Sequence, residues 1–240
     1  MPRSPLLLLP GTLCTGAVFK ELLQPLSKHA SSVTIAEFRE ERSIDEMAQQ
    51  AARLVPPNQK TSVIGFSMGG MVAIALARRY PDIVDRVALI NSNSHADLPG
   101  RHEARLKALA EARRRGLRQV VRDSMLPAYL HRQQTEHRSL ILDMAEEHGI
   151  DAFAAQIEAL ANRPDAAAAL ERIERPVLII GSTQDPLCPP SSQHDMQRQA
   201  RNGTLVVLEN CGHFSLLERP AAVNRALIDW LVETRPVQDS

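Results

Sequence analysis

Aromatic side chains are scarce in this sequence. Five Phe, two Tyr and one Trp make 3% of 240 residues, too few for a surface on which bases stack. Net charge is absent too: 28 Lys and Arg balance 28 Asp and Glu, so no global field points to nucleic acid or to a membrane surface. Cysteine is nearly absent. Cys14, Cys188 and Cys211 are too few for a disulfide framework, and their spacing fits no zinc motif, so no metal is expected. Long apolar runs are missing as well. Leu6–Leu9, held between Pro5 and Pro10, is too short for a signal-peptide core or a membrane span. These absences predict a protein of a reducing cytoplasm with no membrane and no nucleic-acid partner. The apolar fraction of 44% is ordinary, and 240 residues suffice for one sizeable core.

What is present alternates. Apolar runs at Leu6–Leu9, Ser32–Phe38, Thr61–Ile64, Val87–Asn91, Pro176–Gly181 and Thr204–Leu208 read as strands. Between them lie helical patterns at about Ala17–Lys28, Ser43–Leu54, Met71–Tyr80, Ser191–Ala200 and Pro220–Glu233. Ser43 with Glu46 three residues later reads as a capping box. Strands that alternate with helices predict an α/β fold: a mostly parallel sheet of about six strands, covered on both faces. From about Asp97 to Glu174 only helical segments occur, at Arg101–Arg115, Leu117–Met125, Glu136–His148, Asp151–Asn162 and Ala166–Glu174. That length between two strands is an insertion. The predicted division is therefore a core of 1–96 and 174–240 with a helical cap over 97–173.

The most informative stretch is Gly65-Phe66-Ser67-Met68-Gly69-Gly70, between a strand and a helix. A sharp turn there holds Ser67 in strained backbone angles and lifts its hydroxyl clear of the sheet. Gly65 and Gly69 are required where a side chain would collide with the neighbouring strand or helix. A serine hydroxyl needs a base, and the base needs an anion that holds its tautomer. Both must lie on loops after the C-terminal ends of strands. Asp185, in Gly181-Ser182-Thr183-Gln184-Asp185, follows the fifth strand. His213, in Cys211-Gly212-His213-Phe214, follows the sixth, and Gly212 allows a tight turn before it. The other histidines, at 29, 95, 102, 131, 137, 148 and 194, fall on helices or in polar stretches and read as surface residues. Asp82 and Asp85 lie at the opposite end of the sheet, and Asp195 sits in a polar segment.

These motifs resemble the α/β-hydrolase superfamily, in its small cap-bearing branch of esterases, thioesterases and lactonases. Gly65–Gly70 resembles the nucleophile elbow, Gly181–Asp185 the acid loop, and Gly212-His213-Phe214 with Glu218-Arg219-Pro220 the histidine loop. Tyr80-Pro81 with Val84 and Val87 resembles the segment before the next strand. The resemblance implies a Ser67–Asp185–His213 triad with no cofactor. It implies an oxyanion hole of backbone N–H groups, by position those of Thr12 and Met68, with Leu13 an alternative to Thr12. The chain departs from the family in carrying Pro10-Gly11 where His-Gly is usual, and in lacking an opening antiparallel hairpin. The implied activity is hydrolysis of a carboxylic ester or thioester, small or carrier-linked, through an acyl-enzyme. The same triad also serves C–C bond hydrolysis, lactone opening and lyase chemistry, and the fold has non-catalytic binding members. An intact Ser67, Asp185 and His213 argues against the last.

Two features stay open at the level of sequence. The three cysteines fall in loops at the predicted catalytic edge, where they either pack as small hydrophobes or expose the site to oxidants. The insertion is basic in its first half and acidic in its second. Arg113-Arg114-Arg115, Arg118 and Arg122 either pair with the acidic half or face an anionic substrate, with Arg118 and Arg122 the candidate binding residues.

Overall fold

The computed structural model describes residues 3–232; the predicted end of the last helix at Glu233 lies outside them. Six strands, β1 (Leu6–Leu9), β2 (Val33–Ile35), β3 (Thr61–Phe66), β4 (Val84–Ile90), β5 (Val177–Ser182) and β6 (Gly203–Leu208), form one sheet in the order β2-β1-β3-β4-β5-β6. Every pairing between them is parallel. The chain crosses from one side of β1 to the other between β2 and β3. Loops that leave β1 and β3 therefore diverge at their C-terminal ends and open a crevice there.

The strands divide two cores by the alternation of the pleat. Leu6, Leu8, Ile64, Phe66, Ala88, Ile90, Leu178 and Ile180 face one apolar cluster. Leu7, Leu9, Val63, Val87, Leu89, Val177 and Ile179 face the other. The first cluster is closed by α1 (Lys20–Ser27), α11 (Pro220–Val232) and most of the segment between β4 and β5; the second by α2 (Ile44–Arg53) and α3 (Met68–Arg79), with Leu160 and Leu170 from the end of that same segment. The insertion consists of α4 (Pro99–Arg115), α5 (Leu117–Val120), a π-turn over Val121–Met125, α6 (Leu126–Tyr129), α7 (Thr135–Ala161) and α8 (Ala167–Glu171). Helices α9 (Pro190–Gln199) and α10 (Ser215–Glu218) complete the fold.

Local chemistry explains the element ends. Ser43 Oγ accepts the Glu46 N–H at 3.1 Å, and the Glu46 carboxylate reaches back to the Arg42 N–H at 2.7 Å, one residue before the expected donor. Pro25 sits inside α1 without breaking it. The carbonyl that its missing N–H leaves free, Glu21 O, accepts from Asn224 Nδ2 of α11 at 2.9 Å. Strand β2 is shorter than the predicted Ser32–Phe38 because it is an edge with β1 as its one partner. Strand β3 runs two residues past its predicted end, since Gly65 and Phe66 still pair with Leu89 and Ile90.

The insertion does not have a core of its own. Leu117, Val120, Leu126, Ile141, Met144 and Phe153 join the same cluster as the sheet. Its two ends are clasped. Asp97 accepts from Arg163 Nη1 at 2.8 Å and from Arg105 Nε at 3.0 Å, and the Asp97 and Arg163 side chains are 1% and 5% exposed. Gly149, in a left-handed conformation at φ 78°, divides α7 where the sequence predicts a break.

Candidate active site

The turn between β3 and α3 places Ser67. Its backbone is held at φ 52° and ψ −115°, an arrangement that costs about 1–3 kcal/mol and persists only when neighbours enforce it. They do so from the end of β4 and the residues after it: the Ser67 N–H donates to Ile90 O at 2.9 Å, and Ser92 Oγ donates to Ser67 O at 2.8 Å. The turn also requires bare backbone. A Cβ on Gly65 would lie 2.2 Å from Gly69 O, and one on Gly69 would lie 2.0 Å from Leu9 O. Helix α3 therefore packs onto β1 and β3 from its first turn, three residues earlier than its apolar pattern predicts.

Asp185 and His213 arrive at the same edge from β5 and β6. His213 Nε2 lies 2.9 Å from Ser67 Oγ, and His213 Nδ1 lies 2.8 Å from Asp185 Oδ2. Asp185 is held from every side. Its Oδ1 accepts the Leu187 and Cys188 N–H groups at 2.9 and 3.0 Å, and its Oδ2 accepts from Asn91 Nδ2 at 2.9 Å. Burial raises the carboxyl's pKa. The facing His213, its hydrogen bond and those from Cys188 and Asn91 outweigh burial and hold it below the usual carboxylate value. The acid therefore stays ionised beside an imidazole whose Nδ1–H it accepts.

The His213 ring is packed by Phe66 at 5.4 Å, Phe214 at 5.8 Å and Tyr129 at 5.9 Å between centroids. Tyr129 comes from α6 of the insertion and is missed by sequence reasoning, because a four-residue helix leaves no periodic signal. The Glu218 carboxylate joins the two segments: it accepts the N–H groups of Gly212 at 2.7 Å and of Arg132 at 2.7 Å. Gly212 is needed for another reason than the expected turn. A Cβ there would lie 2.6 Å from His131 N and 2.9 Å from Tyr129 O. The insertion's backbone lies that close to the histidine loop.

The loop after β1 is a turn closed by Cys14 N–H to Gly11 O at 3.1 Å, with Leu13 at φ 56°. The Leu13 N–H is already used: it donates to Gln156 Oε1 at 2.8 Å. Among the described residues no protein acceptor takes the N–H of Thr12 or of Met68. Of the two alternatives in this loop, Thr12 is thus the one with a donor to spare.

Other sequence readings meet particular contacts. Arg118 and Arg122 lie against carboxylates of the chain itself. Arg118 Nη1 lies 3.0 Å from Asp143 Oδ1 and 2.7 Å from Glu146 Oε2, and Arg122 Nε lies 3.0 Å from Asp123 Oδ1. Arg118 is thereby satisfied by the acidic half on α7, the alternative that a charge run cannot exclude. His148 is not a surface residue; it is buried beside the Gly149 kink, where burial lowers its pKa.

The three thiols are free and buried. Burial pushes Cys188 up to about 12 and Cys211 up to about 11, and raises Cys14 as well, so all three stay protonated and pack as small hydrophobes. Asp185, Cys188 and His213 bring their donor atoms within 4.8 Å of one another, the one such group among the described residues. The set suits a metal poorly, because the Cys188 thiol holds its proton and both Asp185 oxygens are already bonded.

The chain is similar to several known hydrolases. A pyrrolizixenacetamide deacetylase from Xenorhabdus hominickii is 30% identical over 177 residues, 72% of this chain and 64% of that protein. The chain thus spans slightly less than two thirds of that relative's length. A pimeloyl-[acyl-carrier protein] methyl ester esterase from Neisseria meningitidis is 26% identical over 243 residues, 97% of this chain and 72% of that one. Among solved structures, a thermophilic esterase from Thermogutta terrifontis superposes with a TM-score of 0.88 at 25% identity, covering 96% of this chain and 90% of its own. Residues 6–226, nearly the whole chain, match the family model described as the alpha/beta hydrolase family, and the chain belongs to that family.

Proposed function

We propose that this protein is a serine hydrolase that cleaves a carboxylic ester or thioester through an acyl-enzyme, with Ser67 as nucleophile, His213 as base and Asp185 as its anchor. The observation that carries the reading is the unbroken relay from Ser67 Oγ to His213 Nε2 at 2.9 Å and from His213 Nδ1 to Asp185 Oδ2 at 2.8 Å. His213 Nε2 takes the Ser67 proton as Oγ attacks the carbonyl carbon. The carbonyl electron pair moves to oxygen, where the N–H groups of Thr12 and Met68 receive it. One such donor lowers the barrier by about 3–4 kcal/mol. The intermediate collapses, His213 gives its proton to the leaving oxygen or sulfur, and the acyl group remains on Ser67. Water, deprotonated by the same imidazole, then releases the acid. No step calls for a metal or organic cofactor.

The names of the relatives, a deacetylase, a methyl ester esterase and an esterase, support acyl transfer to water as the reaction class. Residues 97–173 serve in this reading as a lid that supplies Tyr129 to the wall of the site. Three buried free thiols suit a reducing compartment. Among the described residues no helix is long and apolar enough to cross a membrane. The partner is a small-molecule or carrier-linked acyl substrate, and the paired cap arginines give no reason to require it to be anionic.

The test is covalent labelling with a fluorophosphonate probe, followed by a panel of esters and thioesters varied in chain length and charge. Stoichiometric labelling that Ser67→Ala abolishes supports the reading. Turnover that persists unlabelled, or that survives Ser67→Ala, overturns it.

A further inference from the structure

Gln156 lies on α7, in the insertion, and the residue is 1% exposed. It makes two hydrogen bonds, both to backbone of the sheet's catalytic edge. Its Oε1 accepts the Leu13 N–H at 2.8 Å, and its Nε2 donates to Phe38 O at 2.7 Å. The Leu13 bond spans 143 residues of sequence and enters the loop that carries Thr12.

That loop is conformationally unusual. Gly11-Thr12-Leu13-Cys14 is closed as a β-turn by Cys14 N–H to Gly11 O, and its third residue has φ 56°. Turns with a left-handed third residue strongly favour glycine or asparagine there. This chain has a buried leucine. A side chain at that position drives the central peptide, Thr12 C=O to Leu13 N–H, to rotate and let Leu13 return to negative φ. Rotation would turn the Leu13 N–H away from its acceptor. The Gln156 amide, anchored by its Nε2–H donating to Phe38 O, holds its oxygen on the Leu13 N–H and opposes that rotation.

We infer that Gln156 is a positioning residue of the oxyanion hole: it locks the strained turn after β1, and so fixes the Thr12 N–H relative to Met68 N–H and Ser67. The inference rests on the serine-hydrolase reading above. Its chemical consequence is specific. The hole is needed when the carbonyl oxygen becomes an anion, and much less when the substrate first binds. Loosening the turn should therefore depress kcat and the affinity for tetrahedral adducts while KM stays put. A residue that merely holds the fold together would lower the fraction of active protein and leave each active molecule unchanged.

The experiment uses the full chain with Gln156→Leu and the near-isosteric Gln156→Met. Active sites are counted with the fluorophosphonate. Then kcat and KM are measured on an aryl ester, with Ki for an alkyl boronic acid, which forms a tetrahedral adduct on serine. The expected result is a loss of about 10- to 100-fold in kcat per titrated site, below the loss typical of deleting a donor outright. Boronate affinity should fall in proportion, with KM within about twofold. Wild-type kcat and boronate affinity per titrated site overturn the inference, and so does a parallel change in KM. A second measurement needs no variant: amide hydrogen exchange in the wild-type protein. The Leu13 amide should exchange far more slowly than the Thr12 amide, and a Leu13 amide as fast as Thr12 overturns the lock even where neither variant folds. If the wild-type protein takes no label at Ser67, the serine-hydrolase reading fails, whereas the exchange result still reports on the Gln156 contact.

Discussion

Asn91 Nδ2 lies 2.9 Å from Asp185 Oδ2, the same oxygen that His213 Nδ1 approaches at 2.8 Å. Asn91 is fully buried, sits just past the end of β4 at φ 45°, and also donates to Ser182 Oγ at 3.0 Å. Ser215 Oγ in turn donates to Asn91 Oδ1. The acid is thus one member of a buried polar network, and the network decides how its removal should read out.

Asp185→Asn removes the charge but keeps the shape. The new amide can offer an N–H to His213 where the carboxylate accepted one, which favours the wrong tautomer. The expected loss is about 10⁴-fold in kcat with little change in KM, as for triads generally. Steady-state kinetics on an activated ester measure it. A near-normal enzyme would move the role of anchor to another acid.

Asn91→Ala should act on stability as well as rate. It deletes a hydrogen bond to a charged group and takes a buried partner from the Ser182 and Ser215 hydroxyls, an expected cost of about 2–3 kcal/mol. Urea unfolding reads the stability, and active-site titration separates misfolding from slow chemistry. Unchanged stability would mean that water or a neighbour replaces the amide.

Much of the fold can be read along the chain, because strand and helix periods are local. Leu6–Leu9 and Val177–Ser182 are buried on both faces, and they appear as unbroken apolar runs. The positions of Ser67, Asp185 and His213 are legible for the same reason: each follows a strand, and parallel strands bring their C-terminal ends together. Asn91, Gln156 and Tyr129 are not legible. Their roles arise from contacts with residues far away in sequence, as the 94 residues between Asn91 and Asp185 illustrate. The arginines between β4 and β5 show the converse. Five arginines from Arg113 to Arg122 announce a charge, but which anion meets it depends on how α7 folds back across α5.

The pairing of Arg118 and Arg122 gives a prediction opposite to substrate steering. Steering of an anion weakens as the Debye length shrinks from about 10 Å at 0.1 M salt to about 3 Å at 1 M. With Arg118 bound to Asp143 and Glu146, and Arg122 to Asp123, the double variant Arg118→Ala/Arg122→Ala should leave the preference between matched anionic and neutral esters unchanged at both salts. A variant that loses selectively on the anionic ester, and only at low salt, would return these arginines to the substrate.

The clasp at the base of the insertion should make stability depend on pH in a defined window. Burial raises the Asp97 pKa, and the adjoining Arg105 and Arg163 more than reverse it, so the carboxyl titrates below the usual carboxylate value. A folded-state pKa below the unfolded one means that folding favours the ionised form. The contribution is fully present above the unfolded value of about 4 and is lost as pH falls through the folded one. Asp97→Asn removes the charge at every pH and leaves Arg163, whose side chain is 5% exposed, without its counter-ion. Breaking one partner of a buried pair costs about 3–5 kcal/mol. The wild-type advantage over Asp97→Asn should therefore be large and flat from pH 7 to about 5, and should shrink only below about pH 4 as Asp97 itself takes a proton. Urea unfolding of both proteins across that range cancels the carboxylates they share. An advantage that instead fades between pH 7 and 5 would place the titration on another group and break the assignment to Asp97.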